Sequence, residues 1–317
     1  MKRAQPSTRH LNVMCVCAAM LLVRAGHGEE EAERHPDVLV NAESDEAEHD
    51  QFTEMGEYGQ PAWAERNRAS STTSVYVLSP YEAFFGLNWE SDLYRHGKSI
   101  HDFTQEIDVG LLHRFELGFE NEIGFVESRS YETSATLEAR YAFANWNSLP
   151  LNPALSLEYT FGIGRSAPSA RNVSSHGKVR WRDEPDAASL RLLLGQALFH
   201  NRASYGFNVA MTQDVTDDSG RRFEISQSLG YGLSAGALEV GAEMRYTHAT
   251  AQSVSGREDE LVIGPTFGWK PTRQTRLSFA PLFGCTRDSP GAALFALFSY
   301  EFGGAEAVVS PGVSHDR

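Results

Sequence analysis

Residues 115–125 alternate without a break. Phe115, Leu117, Phe119, Asn121, Ile123 and Phe125 share one parity, and Glu116, Gly118, Glu120, Glu122 and Gly124 share the other. A helix would scatter both sets around its circumference, whereas a strand of period two sorts them onto opposite faces. The same sorting recurs in twelve segments: 81–90, 103–112, 115–125, 131–143, 154–164, 189–199, 203–213, 222–233, 238–247, 260–269, 275–285 and 292–302. In all twelve the apolar face lacks Asp, Glu, Lys and Arg, while the opposite face carries fifteen acids and five arginines.

Such a face meets either a protein core or lipid. A basic side chain facing lipid at mid-bilayer costs ~2–4 kcal/mol, so a lipid-facing surface must be free of charge. Twelve strands carrying four or five large apolar residues each would overfill the interior of a soluble barrel. The opposite face is also rich in glycine, at Gly118, Gly124, Gly162, Gly164, Gly230, Gly232, Gly264, Gly268 and Gly284, and strand ends are aromatic, as at Tyr131, Phe143, Trp269 and Tyr300. Small residues beside carboxylates suit a confined wet interior, and aromatic girdles belong at membrane interfaces. The expected fold is therefore all-β, an antiparallel up-and-down transmembrane barrel spanning 81–302. A mean hydropathy of −0.37 does not oppose this, because only alternate residues of such strands meet lipid.

The connections alternate in length. With both termini in the periplasm, the periplasmic links are 113–114, 144–153, 200–202, 234–237 and 270–274. The outer loops are 91–102, 126–130, 165–188, 214–221, 248–259 and 286–291. Short turns on one side, longer loops on the other and an even strand count are the asymmetry of bacterial barrels. A weaker β pattern at Ser175–Trp181 is assigned to the loop 165–188.

Residues 1–28 read as a secretory signal peptide: Lys2, Arg3 and Arg9, then the apolar run Leu11–Val23, then Gly26 and Gly28. Cys15 and Cys17 fall within it, so only Cys285 would remain, which excludes an intramolecular disulfide framework and a cysteine metal cluster. Residues 29–72 form an acidic segment expected to be largely disordered and periplasmic: Glu29–Arg68 holds thirteen acids and three basic residues, with few large apolar groups to offset ordering entropy. Residues 303–317 are a C-terminal tail. The net charge of −14 argues against nucleic acid as a partner.

On these features the chain resembles the Gram-negative outer-membrane β-barrel proteins, porin-like members of about twelve strands. The final strand, with Leu294, Ala296, Phe298, Tyr300 and Phe302 on one face, resembles the insertion signal read by the barrel assembly machinery, although fifteen residues follow it. The resemblance implies outer-membrane lipid and lipopolysaccharide as surroundings; the charged, glycine-rich inner face points to small solutes as cargo, and no cofactor is assigned.

The strongest chemical constellation is the inward charge network: Glu106, Asp108, Glu116, Glu120, Glu122, Glu132, Glu138, Arg140, Glu158, Arg191, Glu239, Glu243 and Arg245. Adjacent strands sit ~4.8 Å apart, so these groups can pair across strands. One reading is a pore for small cationic or neutral solutes, since carboxylate rings concentrate cations. The other is a packed Glu–Arg network that plugs a non-transporting, structural or surface-binding barrel. An outer-membrane lipid-modifying enzyme would need a rim Ser–His pair. The chain has no Gly-x-Ser-x-Gly elbow and no His-Glu-x-x-His motif, and His101, His113, His200 and His248, with Ser99 and Ser253 near two of them, read as strand-end residues. No catalytic or metal-binding residue is assigned. Lys178, Arg180 and Arg182 could contact lipopolysaccharide from the long outer loop, or line a solvated ribbon.

Overall fold

The computed structural model describes residues 55–65, 72–95, 99–126, 129–166, 182–216, 220–251 and 256–303. Twelve antiparallel strands close into a barrel. They are β1 Ala83–Leu93, β2 Ile100–Leu111, β3 Phe115–Val126, β4 Arg129–Ala142, β5 Ala154–Gly162, β6 Ala187–Leu198, β7 Ala203–Asp214, β8 Arg221–Leu233, β9 Leu238–Ala251, β10 Gly256–Trp269, β11 Thr275–Gly284 and β12 Ala292–Phe302. Each strand pairs with its chain neighbour, and β1 closes the ring on β12 from Ala83↔Phe302 to Leu93↔Ala292. Closure leaves no open edge, so every strand has a neighbour to pair with on each side.

Twelve strands were expected and twelve are present, but several run further at the loop-bearing end. β9 and β10 pair as far as Ala251↔Gly256, where the sequence placed a loop from 248 to 259. Backbone pairing continues past the apolar band because it does not depend on what the side chains face. In the loop 165–188, Arg165–Ser166 pair with Arg182–Asp183 as a short ribbon; Ser174, Ser175, His176, Lys178 and Arg180 lie outside the described residues, as do the leader and the tail beyond 303.

The apolar parity faces outward. Leu117 is 51% exposed and Leu157 56%, while their inward neighbours Glu116 and Ser156 are buried. A bulge between Glu122 and Ile123 shifts the β3–β4 register, so Glu132 stands opposite Ile123 rather than opposite a lumen position. Period-two counting from sequence runs through such an insertion unchanged.

Two features depart from the expected wet interior. The first is the chain before β1. Residues 72–80 enter the lumen, and Val75, Tyr76, Val77 and Leu78 are fully buried there. Residues 55–65, which composition placed in the disordered segment, are folded: Met55 bridges Pro61, and Ala62–Glu65 form one helical turn, α1. Trp63 stands edge-on to Trp146 at 5.8 Å, Tyr76 stands edge-on to the same ring at 5.2 Å, and Trp146 N donates to Tyr58 O. These few aromatics bury enough surface to order a stretch whose average composition is hydrophilic. They also account for the one long turn on the short-turn rim, 143–153, because that turn delivers Trp146.

The second is the inner wall of β10–β12. Val262, Ala280, Leu282, Ala293 and Phe295 form a buried apolar cluster, where the sequence reading expected a polar lumen throughout. Between β10 and β11 the pairing lapses from Ile263↔Phe283 to Phe267↔Phe279. Pro265 and Pro281 lie in that gap, and neither has an N–H to give to a ladder.

Candidate functional site: the strapped lumen

Residues 72–80 cross the lumen as a strap whose anchors follow the wall strand by strand. Thr72 donates from its N and its Oγ1 to Glu243 Oε2 on β9, at 3.1 and 3.0 Å. Thr73 Oγ1 lies 2.5 Å from Ser228 Oγ on β8. Ser74 exchanges two bonds with Asn208 on β7: its N donates to Oδ1 at 2.9 Å, and its O accepts from Nδ2 at 2.6 Å. Arg140 Nη1 on β4 donates to Tyr76 O at 3.2 Å. Leu78 N donates to Glu116 Oε2 on β3 at 2.6 Å. Tyr81 N donates to Gly110 O at the end of β2, after which the chain becomes β1.

Glycines on the wall make room for this path. A Cβ at Gly195 would lie 2.7 Å from Val75 Cβ, and one at Gly110 would overlap Ser79 O. Tyr76 OH donates to Ala144 O on the long turn. Tyr58 OH donates to Leu111 O at 3.1 Å and accepts from Arg114 N at 3.0 Å, which fixes residues 55–65 to the same rim. Burial there raises the Tyr58 phenol above its ordinary value.

Of the expected charge network, Glu106, Asp108, Glu116, Glu138, Arg140 and Glu243 are buried within the barrel, and the structure divides them. At its centre Arg140 holds Glu116 at 2.9 Å and Glu138 at 2.8 Å, and Ser156 Oγ donates to Glu138 at 2.5 Å. Glu106, Glu120 and Glu138 bring carboxylate oxygens within 4.8 Å of one another, with Glu106 2% exposed and Asp108, also on β2, fully buried. Arg191 meets Glu158 at 3.4 Å. Glu122 accepts from Thr133 Oγ1 at 2.9 Å. Glu243 is not part of this group, because it anchors the strap.

Arg245 reaches Glu90 at 2.6 Å and lies 4.9 Å from the Phe295 ring centroid. β9 and β1 are separated by β10, β11 and β12 in the ring, so this pair is a chord across the lumen. Arg276 of β11 pairs with Glu239 of β9 at 3.1 Å.

Sequence reasoning missed Glu90, Asn208, Ser228 and the strap itself. A signal for the strap exists in Thr72 to Ser79, a β-branched and aromatic run directly before the first strand. Its polar flanks and its position beside an acidic stretch hide it. Of the histidines, His248 Nδ1 lies 2.7 Å from Asp259 Oδ1, to which Tyr246 OH also donates, and His101 stacks on Trp89. Ser253 lies outside the described residues.

A closed twelve-strand antiparallel barrel with an uncharged outer face and buried lumen carboxylates is an outer-membrane-type β-barrel. One solved structure supports the barrel fold. An outer membrane channel from Pseudomonas putida F1 aligns with a TM-score of 0.50 at 13% identity, covering 72% of this chain and 97% of that one. The KdgM porin aligns at 0.44 and 11% identity, covering 69% and 99%. LpxR from Salmonella typhimurium aligns at 0.43 and 13%, covering 68% and 99%. No family model matches the chain, and no curated protein matches it in sequence.

Proposed function

We propose that the protein is a passive outer-membrane transporter for small cationic or neutral solutes, held shut by its own strap. The observation that carries this reading is the strap's path. It is anchored to β9, β8, β7, β4, β3 and β2 by hydrogen bonds to polar and charged wall residues rather than by an apolar seal alone. Polar anchors exchange with water at a net cost of about 0.5–1.5 kcal/mol for the neutral bonds and about 1.5–3 kcal/mol for those to Glu243, Glu116 and Arg140, so a strap held this way can leave once water replaces its contacts. Departure would uncover Glu243, Glu116 and the group around Glu106, an acidic wall that favours cations over anions.

In this reading both termini and the short-turn rim are periplasmic, and the loop-bearing rim faces lipopolysaccharide. Leu294, Phe298, Tyr300 and Phe302 form the strand offered to the barrel assembly machinery. The test is planar-bilayer recording of the full chain against a variant lacking residues 72–79. The expected result is low conductance for the full chain and a larger, cation-selective conductance for the variant. A variant that folds, as judged by heat-modifiable gel mobility, yet conducts no more than the full chain overturns the reading.

A second reading, a non-transporting barrel, has its own observation. The Arg245–Glu90 chord crosses the space a solute would use. It predicts a strapless barrel that stays silent, so the same recording separates the two.

A further inference from the structure

The turns of the short-turn rim, 112–114, 143–153, 199–202, 234–237 and 270–274, contain Arg114, Arg202, Lys270, Arg273, His113 and His200 and no Asp or Glu. This stands out in a chain with 42 acidic and 28 basic residues. The strand acids next to these turns, Glu82, Glu116, Glu239 and Glu301, have lumen parity, and Glu57 lies in the segment held to the rim beside Arg114. The basic residues sit among outward apolar groups at the same level: Leu112, Phe115, Phe199, Tyr231, Leu233 and Trp269 are all exposed.

At one place this collar forms a groove. Phe199, His200, Arg202 and Tyr231 line a space of about 570 Å³ at the β6–β7 turn and the end of β8. Phe199, His200 and Asn201 all have positive φ, at 51°, 56° and 64°. Consecutive left-handed residues reverse the chain tightly, and Phe199 is left 72% exposed. Tyr231 has the outward parity of β8, and Phe199 projects from the turn beside it.

We infer that this groove binds the headgroup of an anionic phospholipid, with the phosphate against Arg202 and His200 and the upper acyl chains along Phe199 and Tyr231. Three features select that occupant. Among the described residues the lining offers an arginine and an imidazole and no carboxylate, which is complementary to a phosphodiester. The aromatic pair stands at the depth where rings meet the headgroup boundary. A water-soluble anion has no use for the two rings. The leaflet assignment rests on the membrane orientation proposed above, but the binding itself does not.

The experiment is reconstitution of the full chain into vesicles of phosphatidylcholine with or without phosphatidylglycerol. Lipids retained by the protein are then counted by native mass spectrometry. The expected result is preferential retention of phosphatidylglycerol. Retention should fall about five-fold in Arg202→Gln, the equivalent of ~1 kcal/mol for one basic residue at a charged surface. It should fall further with His200→Gln added and stay unchanged in Arg221→Gln at the opposite rim. Inorganic phosphate in solution should not displace the lipid. Equal retention of both lipids, loss in Arg221→Gln as large as in Arg202→Gln, or displacement by inorganic phosphate overturns the proposal. Vesicle binding reads neither conductance nor orientation, so its failure leaves the transport reading standing, and the reverse also holds.

Discussion

From β2 to β9 the lumen wall carries the charged network and the strap's anchors, whereas β10 to β12 carry an apolar cluster, Val262, Ala280, Leu282, Ala293 and Phe295, with Arg276 beside it. On the charged side, filling the lumen means satisfying carboxylates and guanidiniums that have left water, so each buried group needs a partner: Arg140 for Glu116 and Glu138, the Leu78 amide for Glu116, Thr72 for Glu243. On the apolar side Val262, Leu282 and Phe295 need contact but no partner. The charged arc is specific and breaks sharply when one member is lost; the apolar arc is tolerant. A buried ion pair is weak evidence for net stability, yet breaking one is costly because the remaining charge is stranded.

The largest effect is expected at the centre of the charged arc. Arg140→Met leaves Glu116 and Glu138 buried without their cation and should cost about 3–5 kcal/mol, read as a lower urea midpoint for loss of the folded, heat-modifiable band. If the loss is under about 1 kcal/mol, the two arcs do not differ as described. Gly110→Ala comes next. Its Cβ would overlap Ser79 O, so the strap must shift, at a cost of about 1–3 kcal/mol. The readout is faster proteolysis within residues 72–82 while the barrel itself stays intact. Phe295→Leu, in the apolar arc, should cost less than about 1.5 kcal/mol, because a hydrophobic replacement repacks without stranding a polar group. A loss there equal to that of Arg140→Met would erase the contrast.

The smallest effect concerns pH. Burial holds the Tyr58 phenol above its ordinary value of 10.0, so the folded state favours the protonated phenol. Its contribution is fully present below that ordinary value and is lost as pH rises through the folded value. Alkaline titration should therefore release residues 55–65 from the rim before the barrel unfolds, and Tyr58→Phe should remove that pH dependence. Loosening of this segment on acidification instead would contradict the assignment.

Much of this contrast was hidden in the sequence for a physical reason. Period two reports which parity a residue has, and the outward face of the barrel followed from it almost entirely, because lipid forbids charge on every strand alike. The lumen has no such uniform rule. Phe295 and Glu243 share lumen parity on different strands, and nothing local says that one joins an apolar cluster and the other holds a strap. The register shift between Glu122 and Ile123 is likewise invisible to a period-two count. The folded stretch 55–65 went astray because a few aromatics outweigh an acidic average.

The sequence by itself determined the strand count, the closed antiparallel barrel and the direction in which each strand's apolar face points. A membrane-spanning strand must satisfy its backbone through its neighbours and show lipid an uncharged surface, and both demands are written residue by residue. Only the tertiary structure decided how the lumen is filled. Which arginine meets which carboxylate, where the strap crosses and which arc of wall stays apolar all depend on contacts between strands far apart in the chain, and no local pattern encodes them.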